Sequence, residues 1–300
     1  MEAQSNIALW RYTTLKIGGE AGTFCQPESI DELVALMEAL KKQDQPWFVL
    51  GGGSNLLVSS AGVKGTVIRT AQMKRMESPE PNIIEADAGA RLPHLARFAA
   101  TKGLSGFEFS VGIPGTVGGG VIMNAGAHGS CMANLVETVT IFDTKKSEIV
   151  TLRNEELGFV YRKCNLDPAR HVVLSARFRL KDERPEIIEA NIKHNEEYRW
   201  KTQPLGWPNA GSTFKNPEPT RGAGLLLDQS GAKQLKEGAA AVSAVHANFV
   251  INMGGATSEE VTSLLKRMQD CVFNSFDVRL HPEWKIVGDF TDSERQVFES

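Results

Sequence analysis

Cysteine is scarce and scattered. Cys25, Cys131, Cys164 and Cys271 are the only four in 300 residues, and no two form a C-x-x-C pair. A structural zinc site and a disulfide framework both need clustered cysteines, so neither is expected; reduced thiols in a cytoplasmic protein are. Excess charge of one sign is also missing. Thirty-three Lys and Arg against 36 Asp and Glu leave a net charge of −3, which gives no electrostatic footing to nucleic acid or an anionic membrane. No uninterrupted apolar run reaches the length of a bilayer span. The opening MEAQSNIALWRYTTLKIGGE has no basic stretch followed by an apolar core, so no signal peptide is expected. Three motifs are absent as well. The chain has no G-x-G-x-x-G leading into a helix with a later acidic residue, no G-x-x-x-x-G-K-[ST] and no G-x-S-x-G. A Rossmann site, a P-loop and a serine-hydrolase elbow are thereby disfavoured.

What remains is ordinary in bulk: 41% apolar and 23% charged residues suit a soluble globular chain, and its length suits two or three small domains. In PESIDELVALMEALKKQ, Ser29 and Glu32 form a capping box, and Ile30, Leu33, Val34, Met37 and Leu40 share one helical face. A second box, Thr257 with Glu260, opens a helix with Val261, Leu264, Leu265, Met268 and Val272 on its stripe. Helices are also expected in LPHLARFAATKG, stopped by Gly103, in 181–204, closed by Pro204, and in GAGLLLDQSG. Strands are expected in PWFVL, TVIRT, NIIEADAG, LVETVTIFD, EIVTL, HVVLSARFRL and HANFVIN, and on both sides of Pro282 in DVRLHPEWKIVGDF. Residues 112–129 hold so many glycines that no regular element is expected there. The class is α+β or α/β.

Two glycine stretches stand out. LGGGSNLLV (50–58) puts Gly51, Gly52 and Gly53 at a strand end, ahead of Ser54, Asn55 and Leu56. Alone it reads equally as a tight turn or as a nest of amides for phosphate oxygens. FSVGIPGTVGGGVIMNAGAHG (109–129) adds seven more glycines. That conformational-entropy cost is tolerable where backbone must lie against something flat or polyanionic. Two such loops fit one long dinucleotide.

GGGSNLL, GIPGTVGG followed by NAGA, Tyr161-Arg162, NAGSTFKNP, VSAVHANFVIN and HPEWKIVG occur in one order. In that order they resemble the UDP-N-acetylenolpyruvoylglucosamine reductases, the MurB family, from about Thr13 to Gly288. The resemblance implies a two-part FAD-binding domain of the vanillyl-alcohol-oxidase (PCMH-like) type followed by a C-terminal α/β substrate domain. Its parts would be residues 1–70, 71–205 and 206–300, the last residues packing back on the first part. FAD would lie on Gly51, Gly52, Gly53, Ser54, Asn55 and Leu56 and on Gly112, Ile113, Pro114, Gly115, Thr116, Gly118 and Gly119. The implied reaction reduces UDP-N-acetylglucosamine enolpyruvate to UDP-N-acetylmuramate with NADPH, in peptidoglycan precursor synthesis. Both substrates would use one cleft in turn. A cytoplasmic monomer without metal is expected, of the shorter type II form, because 181–208 lacks the longer form's tyrosine-bearing insertion.

This chemistry answers a puzzle set by NAGSTFKNP (209–217), where Ser212 has no histidine within thirty residues downstream. Hydride adds to the terminal CH₂ of a conjugated carboxylate, and charge builds on the α-carbon. The site then needs a cation, a hydrogen-bond donor and a proton source, but no nucleophile. A serine hydroxyl is acid enough towards such a carbon. By the match, Ser212 is the proton donor, Arg162 holds the carboxylate with its permanently charged fork, and Glu283 stabilises the enolate, for which burial should raise its pKa. Lys215 and Asn216 suit the diphosphate, and Tyr161, His246 and Asn248 would line the substrate, although a packed core histidine fits position 246 almost as well. Without the match, Arg162, Glu283 and Ser212 also read as a surface ion pair, a solvated turn and a loop former. An oxidase of another small molecule and a colourless nucleotide-sugar binder remain as rivals. His128, Cys164 and Trp284 depart from the family pattern of tyrosine, serine and a smaller aliphatic residue.

Overall fold

Ser29 starts the first helix, α1 (Ile30–Lys42), with its hydroxyl accepting from the Glu32 amide at 3.2 Å. The return bond differs from the expected box, because the Glu32 carboxylate reaches past Ser29 to the Glu28 amide at 3.0 Å. Leu33, Met37 and Leu40 are buried with Ile68, Met73, Phe142, Val172 and Leu174, the helical spacing having put them on one face. The computed structural model describes residues 2–218 and 221–299. The chain divides into two units, one of Met1–Gln4, Phe24–Gly52 and Gly65–Arg199, the other of Ser5–Thr23, Gly53–Lys64 and Trp200–Ser300.

In the first unit, β1 (Trp47–Leu50) runs parallel to β2 (Val63–Arg69), pairing from Trp47↔Thr66 to Leu50↔Arg69. Strands β3 (Met76–Glu77), β4 (Ile83–Asp87), β5 (Val136–Asp143), β6 (Glu148–Arg153) and β7 (His171–Arg179) build an antiparallel sheet of order β6-β5-β7-β4-β3. Its largest core packs α2 (Leu92–Thr101) through Leu92, Leu95, Ala96 and Ala99. At the β5–β6 turn the Arg170 guanidinium forks onto Asp143 at 2.9 and 2.5 Å. Those bonds, with the Lys145 and Lys146 amides, hold the Asp143 carboxyl far below the usual carboxylate range.

The glycine-rich stretch is more regular than its composition predicts. Residues 117–122, VGGGVI, form a short helix, α3 (Val117–Ile122), and Gly126–Ala127 pairs with Ser130–Cys131 as a small hairpin. Tertiary contacts overrule helix propensity here. The Val117 and Gly118 amides donate to the Ala90 and Ala88 carbonyls at 2.9 and 2.8 Å. A Cβ on Gly118 would lie 3.1 Å from the Ala88 Cβ, so glycine here permits close packing. Helix α4 (Pro185–Thr202) buries only Ile188, Ile192 and Asn195, in keeping with a largely solvated helix.

The second unit has a core of Leu15, Ile17, Leu57, Phe214, Leu226, Leu227, Val250, Leu264, Met268, Trp284 and their neighbours. Around it lie α5 (Ala223–Gln229), the three-stranded sheet β8 (Lys236–Glu237), β9 (Ala240–Val242) and β10 (Val250–Asn252), and α6 (Ser258–Phe276), opened by the full Thr257–Glu260 capping box. Leu56–Val58 pairs in parallel with Lys285–Val287. Two strand expectations shrink. HANFVIN is a strand only from Val250, because the Phe249 amide closes a turn on the His246 carbonyl. DVRL before Pro282 makes no strand; Pro282 itself forms one isolated bridge with Phe214. A last helix, α7 (Asp292–Glu299), follows Thr291, whose amide and hydroxyl both bond Glu294.

Candidate active site

Gly51 and Gly52, at the head of the first glycine loop, meet the second loop inside the first unit. A Cβ on Gly51 would stand 2.5 Å from Thr116 Oγ1, and one on Gly52 would stand 2.9 Å from the Pro114 carbonyl and 3.4 Å from Gly115 Cα. Only residues without a side chain let these strands of backbone approach so closely. The second loop is stapled to the entry of α2: the Leu92 amide donates to the Gly115 carbonyl at 3.0 Å, and Arg91 and Thr116 form a bridge. Ile113 packs on the main core, and Gly119 is exposed at the outer end. Thr116 Oγ1 is buried and has no hydrogen-bond partner. A buried hydroxyl left unpaired is costly, and beside two glycine loops it suits an anionic oxygen. The cradle therefore fits a diphosphate-bearing flavin. Thr116→Ala should weaken FAD binding about tenfold, through one lost hydrogen bond to a charged group, without lowering the melting temperature of the apoprotein. Unchanged FAD affinity in a titration would make Thr116 a packing residue only.

Sequence reasoning passed over Arg199. Its Cδ would lie 2.9 Å from a Cβ on Gly112, and burial lowers its pKa. The side chain reaches the second glycine loop from α4, a proximity that no local motif signals.

Arg162 stands in the same unit, inside a tight turn closed by the Val160 and Lys163 amides and carbonyls. It holds φ +57, uncommon for a residue with a side chain. Its Nη1 donates to the Gly126 carbonyl at 3.1 Å, and the guanidinium lies 5.3 Å from the ring centre of Tyr161, which is itself exposed. Of the positions that depart from the family pattern, His128 has φ +51 and meets the Tyr198 ring edge-on at 5.4 Å. Burial and the nearby His194 both lower its pKa. Cys164 is buried, which raises its thiol pKa.

The second unit brings the Ser212 and Glu283 segments side by side. Thr213 is fully buried between them: its carbonyl accepts from the Glu283 amide at 2.8 Å, and its own amide donates to the Asn248 carbonyl at 2.8 Å. The Lys215 amide donates to the His281 carbonyl at 2.9 Å. Asn55, at the end of the first glycine loop, donates from Nδ2 to the Glu283 carbonyl at 3.3 Å and accepts the Lys285 amide at 3.0 Å. Ser212 and Glu283 are both half-buried, and Trp284, next along, is buried with its indole N–H unpartnered.

The other expected substrate residues are more tightly occupied. Asn248 is 3% exposed, and its amide accepts from the Phe214 amide at 2.9 Å and donates to the Phe214 carbonyl at 2.8 Å. These bonds fix the Ser212 loop. His246 packs on Gly224 and Phe249, and its Nδ1 accepts from the Asn248 amide at 3.1 Å. Burial lowers its pKa, which favours the neutral ring that the Nδ1 acceptor role requires. Asn216 accepts the Ala223 amide at 3.1 Å, at the start of α5. Among the described residues, no group of three or more His, Cys, Asp or Glu could hold a metal, and no helix is long and apolar enough to cross a membrane.

An FAD binding domain model matches residues 22–153. Together with the glycine cradle and the two-part fold, it defines a flavin-dependent oxidoreductase. The model for the C-terminal domain of UDP-N-acetylenolpyruvoylglucosamine reductase matches residues 203–287. The reductase of that name from Synechococcus sp. (strain RCC307) is 41% identical over 296 residues, covering 98% of this chain and 97% of its own length. That of Caldanaerobacter subterraneus subsp. tengcongensis is also 41% identical, over 284 residues, with 95% and 93% covered. The crystal structure of the Thermus caldophilus enzyme superposes with a TM-score of 0.81 at 36% identity, over 96% of this chain and 99% of that one. The chain belongs to the UDP-N-acetylenolpyruvoylglucosamine reductase family.

Proposed function

We propose that this protein reduces UDP-N-acetylglucosamine enolpyruvate to UDP-N-acetylmuramate with electrons from NADPH, a cytoplasmic step of peptidoglycan precursor synthesis. FAD, which Gly51, Gly52, Thr116 and the rest of the glycine cradle would hold, would supply the hydride relay between NADPH and the terminal CH₂ of the enolpyruvyl group. Arg162 receives the substrate carboxylate through its planar fork. Ser212 gives its hydroxyl proton to the α-carbon, completing the lactyl ether. Glu283 holds the charge that develops on the enolate through a shared hydrogen bond, a role that requires a preorganised donor. Lys215 and Asn216 meet the diphosphate, and Tyr161 and His246 contact the remainder of the nucleotide-sugar. Asn248, with both amide atoms on Phe214, serves by holding the Ser212 loop.

The observation that supports this reading is the Thr213 clamp, a backbone bond that holds the Ser212 and Glu283 segments side by side in one compact unit. Catalytic groups fixed by backbone bonds lose little orientation at the moment of reaction. The purified protein should be yellow, bleach anaerobically with NADPH, and regain colour on addition of the enolpyruvyl UDP-sugar. Bleaching without recovery would point to a different oxidant, and a colourless protein that takes up no FAD would defeat the flavin reading.

A further inference from the structure

Asn124 opens the NAGA segment, 6% exposed and with φ +41. Its Nδ2 donates to the Val160 carbonyl at 2.9 Å, while its Oδ1 accepts from the Ala133 amide at 3.0 Å. Val160 is the first residue of the tight turn that holds Arg162, and the Arg162 Nη1 returns to the carbonyl of Gly126, two residues beyond Asn124. One short segment thus grips the turn at its base, through an asparagine side chain, and at its tip, through a backbone carbonyl.

Few residues could do this. The left-handed backbone at 124 tolerates asparagine better than a bulkier side chain. The position also needs a donor and an acceptor on one short, flat group; serine is too short to present both, and aspartate presents acceptors only. The Asn124 side chain is itself buried, so a lost bond there leaves a polar group without water to replace its partner. Arg162 itself holds a backbone conformation that persists only where its surroundings over-determine it.

We propose that Asn124 is the positioning residue of Arg162, fixing the 160–163 turn so that the guanidinium keeps the orientation in which it receives the substrate carboxylate. This rests on the role given to Arg162 above. The test is stopped-flow measurement of both half-reactions in the FAD-loaded protein. Asn124→Asp keeps the shape and the Ala133 bond and loses only the donor to Val160. It should slow reoxidation by the enolpyruvyl substrate about 10- to 100-fold, as a misplacement near 1 Å does, and leave reduction by NADPH within about twofold. Relative to wild type, reoxidation should recover as pH falls, because a protonated carboxyl again donates to Val160. In the Arg162→Lys background the same change should add nothing.

Equal slowing of both half-reactions, or losses that multiply in the double variant, overturns the proposal. If Arg162→Lys alone reoxidises at the wild-type rate, the assignment of Arg162 fails first, and the positioning role fails with it by that separate route. Melting temperature and flavin content are read on every variant. Should Asn124→Asp fold poorly, Asn124→Gly accepts the φ +41 backbone and should show the same split between half-reactions.

Discussion

Ser212→Ala should leave reduction of the flavin by NADPH within about twofold of wild type while slowing its reoxidation by the enolpyruvyl UDP-sugar by roughly 10²- to 10⁴-fold. The reason is the division of labour. Hydride transfer from NADPH needs no proton from the protein, whereas the second half-reaction ends only when the α-carbon is protonated. The substitution should otherwise be quiet. Ser212 is half-buried on a loop whose shape is set by its neighbours, with Thr213 bonded to Asn248 and Glu283 and Phe214 bonded twice to Asn248. Alanine disturbs none of these bonds. Equal losses in both half-reactions would remove Ser212 as the proton donor, and Ser212→Cys, which keeps an ionisable hydrogen, should recover part of the rate.

Gly53→Ala is expected to strip the protein of flavin, with FAD affinity falling by at least about 100-fold. Gly53 has φ +62, and a Cβ there would overlap the Tyr12 carbonyl oxygen and crowd Thr13 Cα at 3.0 Å. Left-handed backbone costs a residue with a side chain about 1–2 kcal/mol. The overlap with main chain adds more, because a carbonyl cannot swing aside as a side chain can. Its own carbonyl is also fixed, accepting from the Thr14 amide at 3.0 Å, so the loop has no relaxed alternative nearby. Absorbance at the flavin band, titrated with FAD, reads the effect directly. A variant that holds FAD as tightly as wild type would show that this loop is a turn and nothing more.

Elements with local signals were legible in the sequence. The Ser29 and Thr257 caps and the apolar stripes behind them are written within one or two helical turns, and α1 and α6 begin at those caps. The same signal lay at Thr291 and Glu294 and was passed over, although it opens α7. The glycine-rich stretch misled because composition reports what backbone is permitted to do, while α3 is imposed by the Ala88–Ala90 carbonyls, far away in sequence. The strand expected before Pro282 failed for a related reason. The Asp277 amide still bonds the Phe273 carbonyl at the end of α6, the Leu280 carbonyl accepts from the Gln269 side chain, and only His281 and Glu283, flanking a proline that has no donor, pair with Lys215 and Thr213.

At the candidate site, motifs pointed to residue types and the structure shows how those residues are supported. GIPGTVGG marked a cradle but not its contact with Gly51 and Gly52, nor the unpaired hydroxyl of Thr116. VHANF marked Asn248 but not that both its amide atoms belong to Phe214. Such supporting bonds join residues tens of positions apart and leave no pattern in any short window.

The parallel pair of Leu56–Val58 with Lys285–Val287, and the core that mixes Leu15, Ile17 and Leu57 with Trp284 and Val297, bear on how the chain is made. The apolar faces of the early segments stay uncovered until residues 284–297, more than 220 positions later, have been made. So distant a closure is slow and leaves the nascent chain exposed to aggregation. Trigger-type holdases that shield the early segments during translation should therefore raise the soluble yield of this protein.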